Sequence, residues 1–258
     1  MFIWILIVLE ENGVKLKLSI TDTPGYGDLV NNENCWDPIL KYIKEQYSSY
    51  LRKELTPARE RRIPDTRIHA VLFFISPTGH ALTPLDIAVM KKISDIANVV
   101  PVIAKADSLT LEERNAFKRR IKTEIEYYGI KCFPFVDRID DTPMDAEEQE
   151  IFRTLQKLIP FAVVGSERNV VVEGKAVRGR RTRFGIVNVE NEDHCEFTQL
   201  RNFLLRTHTE ELIELTSVLH YENFRTKQLI ALKESSTQHT KPPSHNESHS
   251  TSQPVTGY

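Results

Sequence analysis

Apolar and polar positions alternate most cleanly from Val14 to Ile20, with Val14, Leu16, Leu18 and Ile20 on one face and Lys15, Lys17 and Ser19 on the other. A period of two predicts a half-exposed strand. The apolar run Met1–Leu9 precedes it, and Glu11-Asn12-Gly13 between them is a hairpin turn signal. Three further runs, Val71–Ile75, Val99–Ile103 and Ile159–Gly165, are continuously apolar and rich in β-branched residues. Such runs predict strands buried on both faces of a parallel sheet. Helical spacing appears at Trp36, Ile39, Leu40, Ile43, Tyr47 and Leu51, with Asn34 as a candidate N-cap and Pro38 in the first turn. It recurs after Thr83-Pro84-x-Asp86 and after the capping box Thr110-x-x-Glu113, where Phe117, Ile121 and Ile125 stack before Tyr128-Gly129. A β insert follows, with Val170–Val177 as a hairpin and Ile186–Val189 as a further strand. One long helix is predicted from about Glu196 to about Lys233, and the acidic residues 137–150 are expected to form a surface loop. Strands and helices in this order predict an α/β fold with helices on both faces of the sheet.

Composition narrows the class. With 40% hydrophobic and 27% charged residues the chain reads as globular. Met1–Leu9 is far short of the ~20 residues a membrane span needs, and it lacks the basic flank of a signal peptide. A net charge of −2 predicts no bulk attraction to nucleic acid, so no nucleic-acid partner is expected. Arg59, Arg61, Arg62 and Arg67 lie in the polar stretch Arg52–Arg67, which reads first as a solvated face and second as a patch for acidic lipid or a partner. Cys35, Cys132 and Cys195 are scattered and odd in number, which points to a reducing compartment and against a zinc site. From Ser235 to Tyr258 almost nothing is apolar, so disorder is expected, with no heptad for a coiled coil.

The candidate chemistry sits where strands end. Val99–Ile103 runs into Ala104-Lys105-Ala106-Asp107, and open α/β sheets bind ligands at the carboxyl ends of their strands. A carboxylate at Asp107 can accept two parallel hydrogen bonds from guanine's N1–H and exocyclic amine, whereas adenine presents an acceptor at N1. Lys105 can lay its methylene stem over a base plane. A solvated lysine and a capping aspartate account for the same residues equally well. Val14–Ile20 ends in Asp22-Thr23-Pro24-Gly25, similar to the DxxG element of P-loop GTPases. There the Asp reaches Mg²⁺ through water and the Gly amide reaches the γ-phosphate. The competing reading is an ordinary Gly/Pro turn.

Together the motifs resemble the septin family. They are DTPGYGD with NNENCW (22–36), PTGHALTPLDI (77–87), PVIAKADSLTLEER (101–114), IPFAVVGS (159–166), and VRGRRTRFG with VNVENEDHCEF and LR (177–201), over roughly residues 10–232. The short tail is most similar to that of a short-tailed fungal member. The resemblance implies a Ras-like P-loop GTPase sheet carrying a septin-specific β insert. It implies a septin-type GTP-binding domain over 1–234, with the insert and last helix at about 167–234 and a low-complexity tail over 235–258. It further implies a cytoskeletal subunit that binds GTP or GDP with Mg²⁺ and assembles with other septins into filaments or rings at the division site. Acidic membrane lipids are a further implied partner, with a cytoplasmic and cortical location at a bud neck or septum. Carried over by residue, Lys105, Asp107, Gly165 and Arg180 hold the base, Gly25 the γ-phosphate side, and Asp22 the Mg²⁺ through water. His80, Glu113 and Phe184 belong to the face shared with a neighbouring subunit. No catalytic residue is carried over. Septins have a GxxxxGK[ST] phosphate loop upstream of DTPG and a switch threonine, and this sequence contains neither. The resemblance therefore implies an amino-terminal truncation in which the first strand and phosphate loop are missing. Its only Gly-Lys pair is Gly174-Lys175, followed by Ala176. Phe184 stands where the family usually has tryptophan. The slow GTPase activity of the family is accordingly expected to be lost, leaving two alternatives to a nucleotide-holding subunit: a slow switch, or a remnant that only binds partners.

Overall fold

Strand β4 (Val99–Ile103) is buried at every residue because both of its faces are covered. Val99 and Ile103 point into one core, built with Ile43, Tyr47 and Leu51 of α1 (Asp37–Leu55), Val89, Met90 and Ile93 of α2 (Pro84–Ser94), and Phe117 and Ile121 of α3 (Leu111–Tyr127). Val100 and Val102 point into the other, with Leu155 of α4 (Ala146–Leu158), Leu200 of α5 (Phe197–Asn202), Phe203, and Leu212 of α6 (Thr209–Leu215). The result is the three-layer α/β arrangement that the apolar runs predict. The computed structural model describes residues 2–11, 13–28, 30–56, 63–134, 146–172, 174–183 and 185–238.

Parallel neighbours flank β4. β3 (Val71–Ile75) pairs Val71 with Val99, and β5 (Phe161–Ala162) pairs Phe161 with Val102. β5 is shorter than the apolar run around it, yet the Val163 N–H still donates to the Ile103 carbonyl (2.9 Å) and the Ala106 N–H to that of Val163 (3.0 Å). Both predicted capping boxes form: the Thr83 hydroxyl accepts from the Asp86 N–H at 3.0 Å, and the Thr110 hydroxyl from the Glu113 N–H at 3.3 Å.

The predicted hairpin also forms, β1 (Ile3–Glu11) against β2 (Val14–Asp22), with Gly13 at φ 79° in its turn. Among the described residues this ribbon pairs with no other strand. The apolar face of β2 stays wet: Val14 is 70% exposed, Ile20 44% and Ile5, opposite Ile20 on β1, 49%. The ribbon is anchored at one end, where Phe2 stacks on Tyr42 (4.7 Å) and the Thr21 and Tyr42 hydroxyls lie 3.0 Å apart. The β insert is a second separate sheet, β6 (Asn169–Val172), β7 (Lys175–Thr182) and β8 (Gly185–Asn188), all antiparallel.

Four expectations change. Asn34 does not cap α1; it adopts φ 57° and its backbone carbonyl accepts from the Asp37 N–H (3.0 Å). The expected acidic surface loop becomes helix α4 from Ala146 onward, while 135–145 lie outside the described residues. The single long helix is broken at His208 (φ −123°, ψ 16°), after a π-type turn at Phe203–Thr207. Phe203 is wedged against Phe133 and Phe161 (5.7 and 5.3 Å), and the Thr209 hydroxyl takes the Leu204 carbonyl (2.8 Å), so the regular ladder cannot continue. Finally, α7 (Glu222–Gln238) runs past Lys233 through Ser235, because extending an existing helix costs far less than nucleating one. The chain divides into two units after Phe224; the second is helical through Gln238, and residues 239–258 lie outside the described ones.

Candidate functional site

Beyond β4 the backbone turns on a non-glycine residue in the left-handed region. Lys105 has φ 48° and ψ 46°, a conformation that costs of order 1–3 kcal/mol and persists where the surroundings enforce it. Enforcement comes from both sides: the Ala104 N–H donates to the Ile75 carbonyl (2.9 Å) and the Ala106 N–H to that of Val163 (3.0 Å). Lys105 is thereby exposed. A single 3₁₀ turn, Ala106–Ser108, then folds Asp107 back until its side chain is only 8% exposed.

The insert closes over that carboxylate. Arg180, on β7, donates its Nε–H to Asp107 Oδ2 at 2.7 Å, and its Nη2 engages both Asp107 oxygens. Within the insert, Gly179 lets β7 lie close against β8, since a Cβ there would lie 2.3 Å from the Val187 carbonyl oxygen. Around it the Ser166 hydroxyl donates to the Gly179 carbonyl (2.7 Å), and the Gly179 N–H to that of Arg168 (3.0 Å). Lys105 and Asp107 on one loop, Gly165 on a second and Arg180 on β7, dispersed in sequence, thus lie on segments stitched to one another.

The remaining candidates are more scattered. Asp22 ends β2 and is exposed, and Gly25 follows in its loop. That loop is held through Tyr26, whose ring lies 6.2 Å from Phe73 and whose hydroxyl donates to Asp86 (3.1 Å). Burial and the Asp86 carboxylate together push the Tyr26 phenol far up. His80 is exposed on the loop after β3. Sequence reasoning missed what presents it: Arg120 on α3 donates to the Gly79 and His80 carbonyls (2.9 and 3.3 Å), and Glu124 accepts from the Leu82 N–H (2.8 Å). Glu113 spends its carboxylate on the Thr110 N–H (2.8 Å), a bond that lowers its pKa. Phe184 lies outside the described residues. Arg67 leaves the expected solvated face altogether: its side chain is 8% exposed, paired with Asp65 at 2.8 Å and stacked on Tyr50 and Tyr221. Arg59, Arg61 and Arg62 lie outside the described residues.

A family profile described as Septin matches residues 5–238. The chain belongs to the septin family. It is similar to septin homolog spn2 of Schizosaccharomyces pombe, 56% identical over 91% of this chain and 70% of that protein. It is also similar to cell division control protein 10 of Candida albicans, 50% identical over 89% of this chain and 63% of the relative. Neuronal-specific septin-3 of Rattus norvegicus is 53% identical over 86% of this chain and 61% of its own length. The chain thus spans between three-fifths and seven-tenths of these relatives. Among solved structures, a septin GTPase domain from Chlamydomonas reinhardtii matches with TM-score 0.65 and 25% identity, over 87% of this chain and 80% of that one. Cdc11 from Saccharomyces cerevisiae matches with TM-score 0.58 and 27% identity, over 86% of this chain and 88% of that one.

The residues of this septin suit the base half of a guanine nucleotide. Asp107 presents both oxygens to a planar two-donor edge, as the Arg180 contact demonstrates. At Gly25 and Gly165 glycine is required neither by a left-handed φ nor by crowding, since a methyl group added at either Cα would meet no atom within 4 Å. Each therefore leaves its backbone open to approach from outside. The metal half is sparser. Among the described residues no cluster of three or more His, Cys, Asp or Glu side chains is arranged to hold a metal, and Asp22 is a single carboxylate. Mg²⁺ needs substrate phosphates and water besides.

Proposed function

We propose that this chain is a septin cytoskeletal subunit that holds guanine nucleotide at the face it shares with a neighbouring septin, in structures of the division site. The observation that carries the reading is Asp107: nearly buried, displayed by a strained turn, and satisfied by a planar pair of N–H donors. The likeness to a cell division control protein supports the role in division and a cytoplasmic, cortical location at a bud neck or septum. GTP or GDP is the cofactor, with Asp107 and Lys105 on the base, Gly165 and Arg180 beside it, and Gly25 and Asp22 toward the phosphates and Mg²⁺. His80, on its pinned loop, faces the partner septin, and Glu113 and Phe184 are assigned to the same shared face. Acidic lipids are a secondary partner, without Arg67, whose guanidinium is already committed. By this reading residues 1–234 work as a partial septin-type domain and the tail from 235 as an appendage.

Titration with GDP and ADP is expected to show about a tenfold guanine preference, the scale of one good bidentate pair. Asp107→Asn should remove most of it, because an amide offers only one acceptor. Equal GDP and ADP affinity in the unmodified chain contradicts the reading. No nucleotide bound, with septin pairing retained, would make the chain a partner-binding remnant. Turnover is a separate matter. Phosphoryl transfer rests on positioning and charge neutralisation by the phosphate-loop lysine, its hydroxyl and the metal. The sequence contains no GxxxxGK[ST], so no multiple-turnover phosphate release is expected from this chain. Release that disappears in Asp107→Asn would establish the switch reading instead.

A further inference from the structure

Asp107 already has a ligand, and the chain supplies it. The Nε–H and Nη2–H edge of Arg180 lies along both carboxylate oxygens, with Nε 2.7 Å from Oδ2 and Nη2 closed on Oδ1 and Oδ2. A guanidinium is planar, delocalised and offers two parallel donors from one edge. Guanine offers the same edge through N1–H and its exocyclic amine. Both groups therefore compete for one fork.

We propose that Arg180 is an internal guanine mimic that occupies Asp107 while no base is bound, so that guanine nucleotide enters by displacing it. The proposal rests on the reading of Asp107 as the base-reading group. Exposure says which partner moves. The Asp107 side chain is 8% exposed and fixed in its 3₁₀ turn, whereas the Arg180 side chain is 37% exposed, with an open route to solvent. Displacement also has a structural consequence. Arg180 pairs with Val187 in the insert sheet, and its side chain ties that sheet to the loop after β4. Entry of the base releases this tie, so the insert reports whether Asp107 is occupied by nucleotide. Adenine must displace the same guanidinium without replacing its two bonds, so the latch excludes bases that lack a two-donor edge.

A site closed most of the time binds with an affinity reduced by its open fraction. For a part-buried bidentate ion pair that reduction is about tenfold. In the full chain freed of nucleotide, Arg180→Ala is therefore expected to bind GDP more tightly than the parent, by less than the full ~tenfold because the contact Arg180 makes beside the bound base is lost with it. The Arg180 Nε–H resonance should disappear on adding guanosine and persist with adenosine. Arg180→Lys keeps the charge but loses the fork; it should fall between parent and Arg180→Ala, and it serves if Arg180→Ala does not fold. The latch is overturned if neither variant binds GDP more tightly, or if saturating guanosine leaves the Nε–H signal unchanged. Should the parent still prefer GDP through Asp107 in that case, the nucleotide reading stands and only the latch is lost. Should no form, Arg180→Ala included, bind guanosine, both fail together.

Discussion

Lys118→Ala is expected to lower the stability of the domain by about 3–5 kcal/mol, the scale for stripping one partner from a buried ion pair. Lys118 sits on the inner face of α3 between Phe117 and Ile121, and is 7% exposed. Its ammonium donates to both Glu196 oxygens at 2.7 Å and to the Leu158 carbonyl at 2.8 Å. Burial lowers the Lys118 pKa, and Glu196 partly offsets that. The Glu196 carboxylate also accepts the Ala162 N–H (2.7 Å), while its own N–H donates to the Ala162 carbonyl (2.8 Å). One ion pair thus ties α3, β5 and the start of α5 together, at the strand that leads into the Gly165 loop. Removing the ammonium leaves Glu196 charged and uncompensated in a nearly dry place. Urea titration should show a lower midpoint with an unchanged slope. The double variant Lys118→Met with Glu196→Gln should recover part of the loss, because the Gln carbonyl still accepts from Ala162. A Lys118→Ala midpoint within about 1 kcal/mol of the parent would show the pair to be solvated and energetically minor.

How much of this is legible in the sequence varies with the range of the interaction. Strands β3 and β4, the hairpin and both capping boxes are local patterns, and each forms where the spacing places it. The Lys105 and Asp107 position is legible for the same reason: a buried strand must end, and its end must turn. The Lys118–Glu196 pair leaves only a faint trace, a lysine interrupting an apolar helix stripe, and its partner lies 78 residues away. Nor can periodicity locate the break at His208, because the apolar spacing continues through it. Aromatic packing of Phe203 against Phe133 and Phe161 decides that break, and those contacts come from three distant segments. At the site itself, the resemblance places Arg180 beside the base. That the same side chain fills the base's own acceptors is a matter of geometry, which a linear motif does not contain.

The domain is expected to lose about 3 kcal/mol as pH falls from 6.5 to about 4 through one histidine, His220, a shift of some 2.5 units at 1.36 kcal/mol each. His220 is 5% exposed and sits in a π-type turn, Thr216–Tyr221, beside the amino end of β4. Its Nε2 lies 3.1 Å from the Asn98 side-chain oxygen, so the neutral ring donates there. The Asn98 amide in turn donates to the His69 and Leu212 carbonyls (2.9 and 3.1 Å) and to the Thr216 hydroxyl (3.1 Å). Burial, with a smaller contribution from the Lys131 charge, pushes the imidazole down to about 4 from 6.5. The sign follows from proton counting. Between the two values the unfolded chain holds a proton that the folded chain refuses, so stability rises with pH there. The contribution is complete above about pH 6.5 and gone near pH 4. Asp65 acts in a separate window. Burial would raise it, but hydrogen bonds from His69 and Arg67 outweigh that and hold it well below the usual carboxylate range, so its loss comes only at more acid pH. Urea midpoints measured at pH 7.5, 6 and 5 should therefore fall steadily in the parent. His220→Gln keeps a side-chain N–H for Asn98 but cannot take up the proton, and its midpoints should fall much less over the same range. Equal slopes in parent and variant would place the acid sensitivity in some other group.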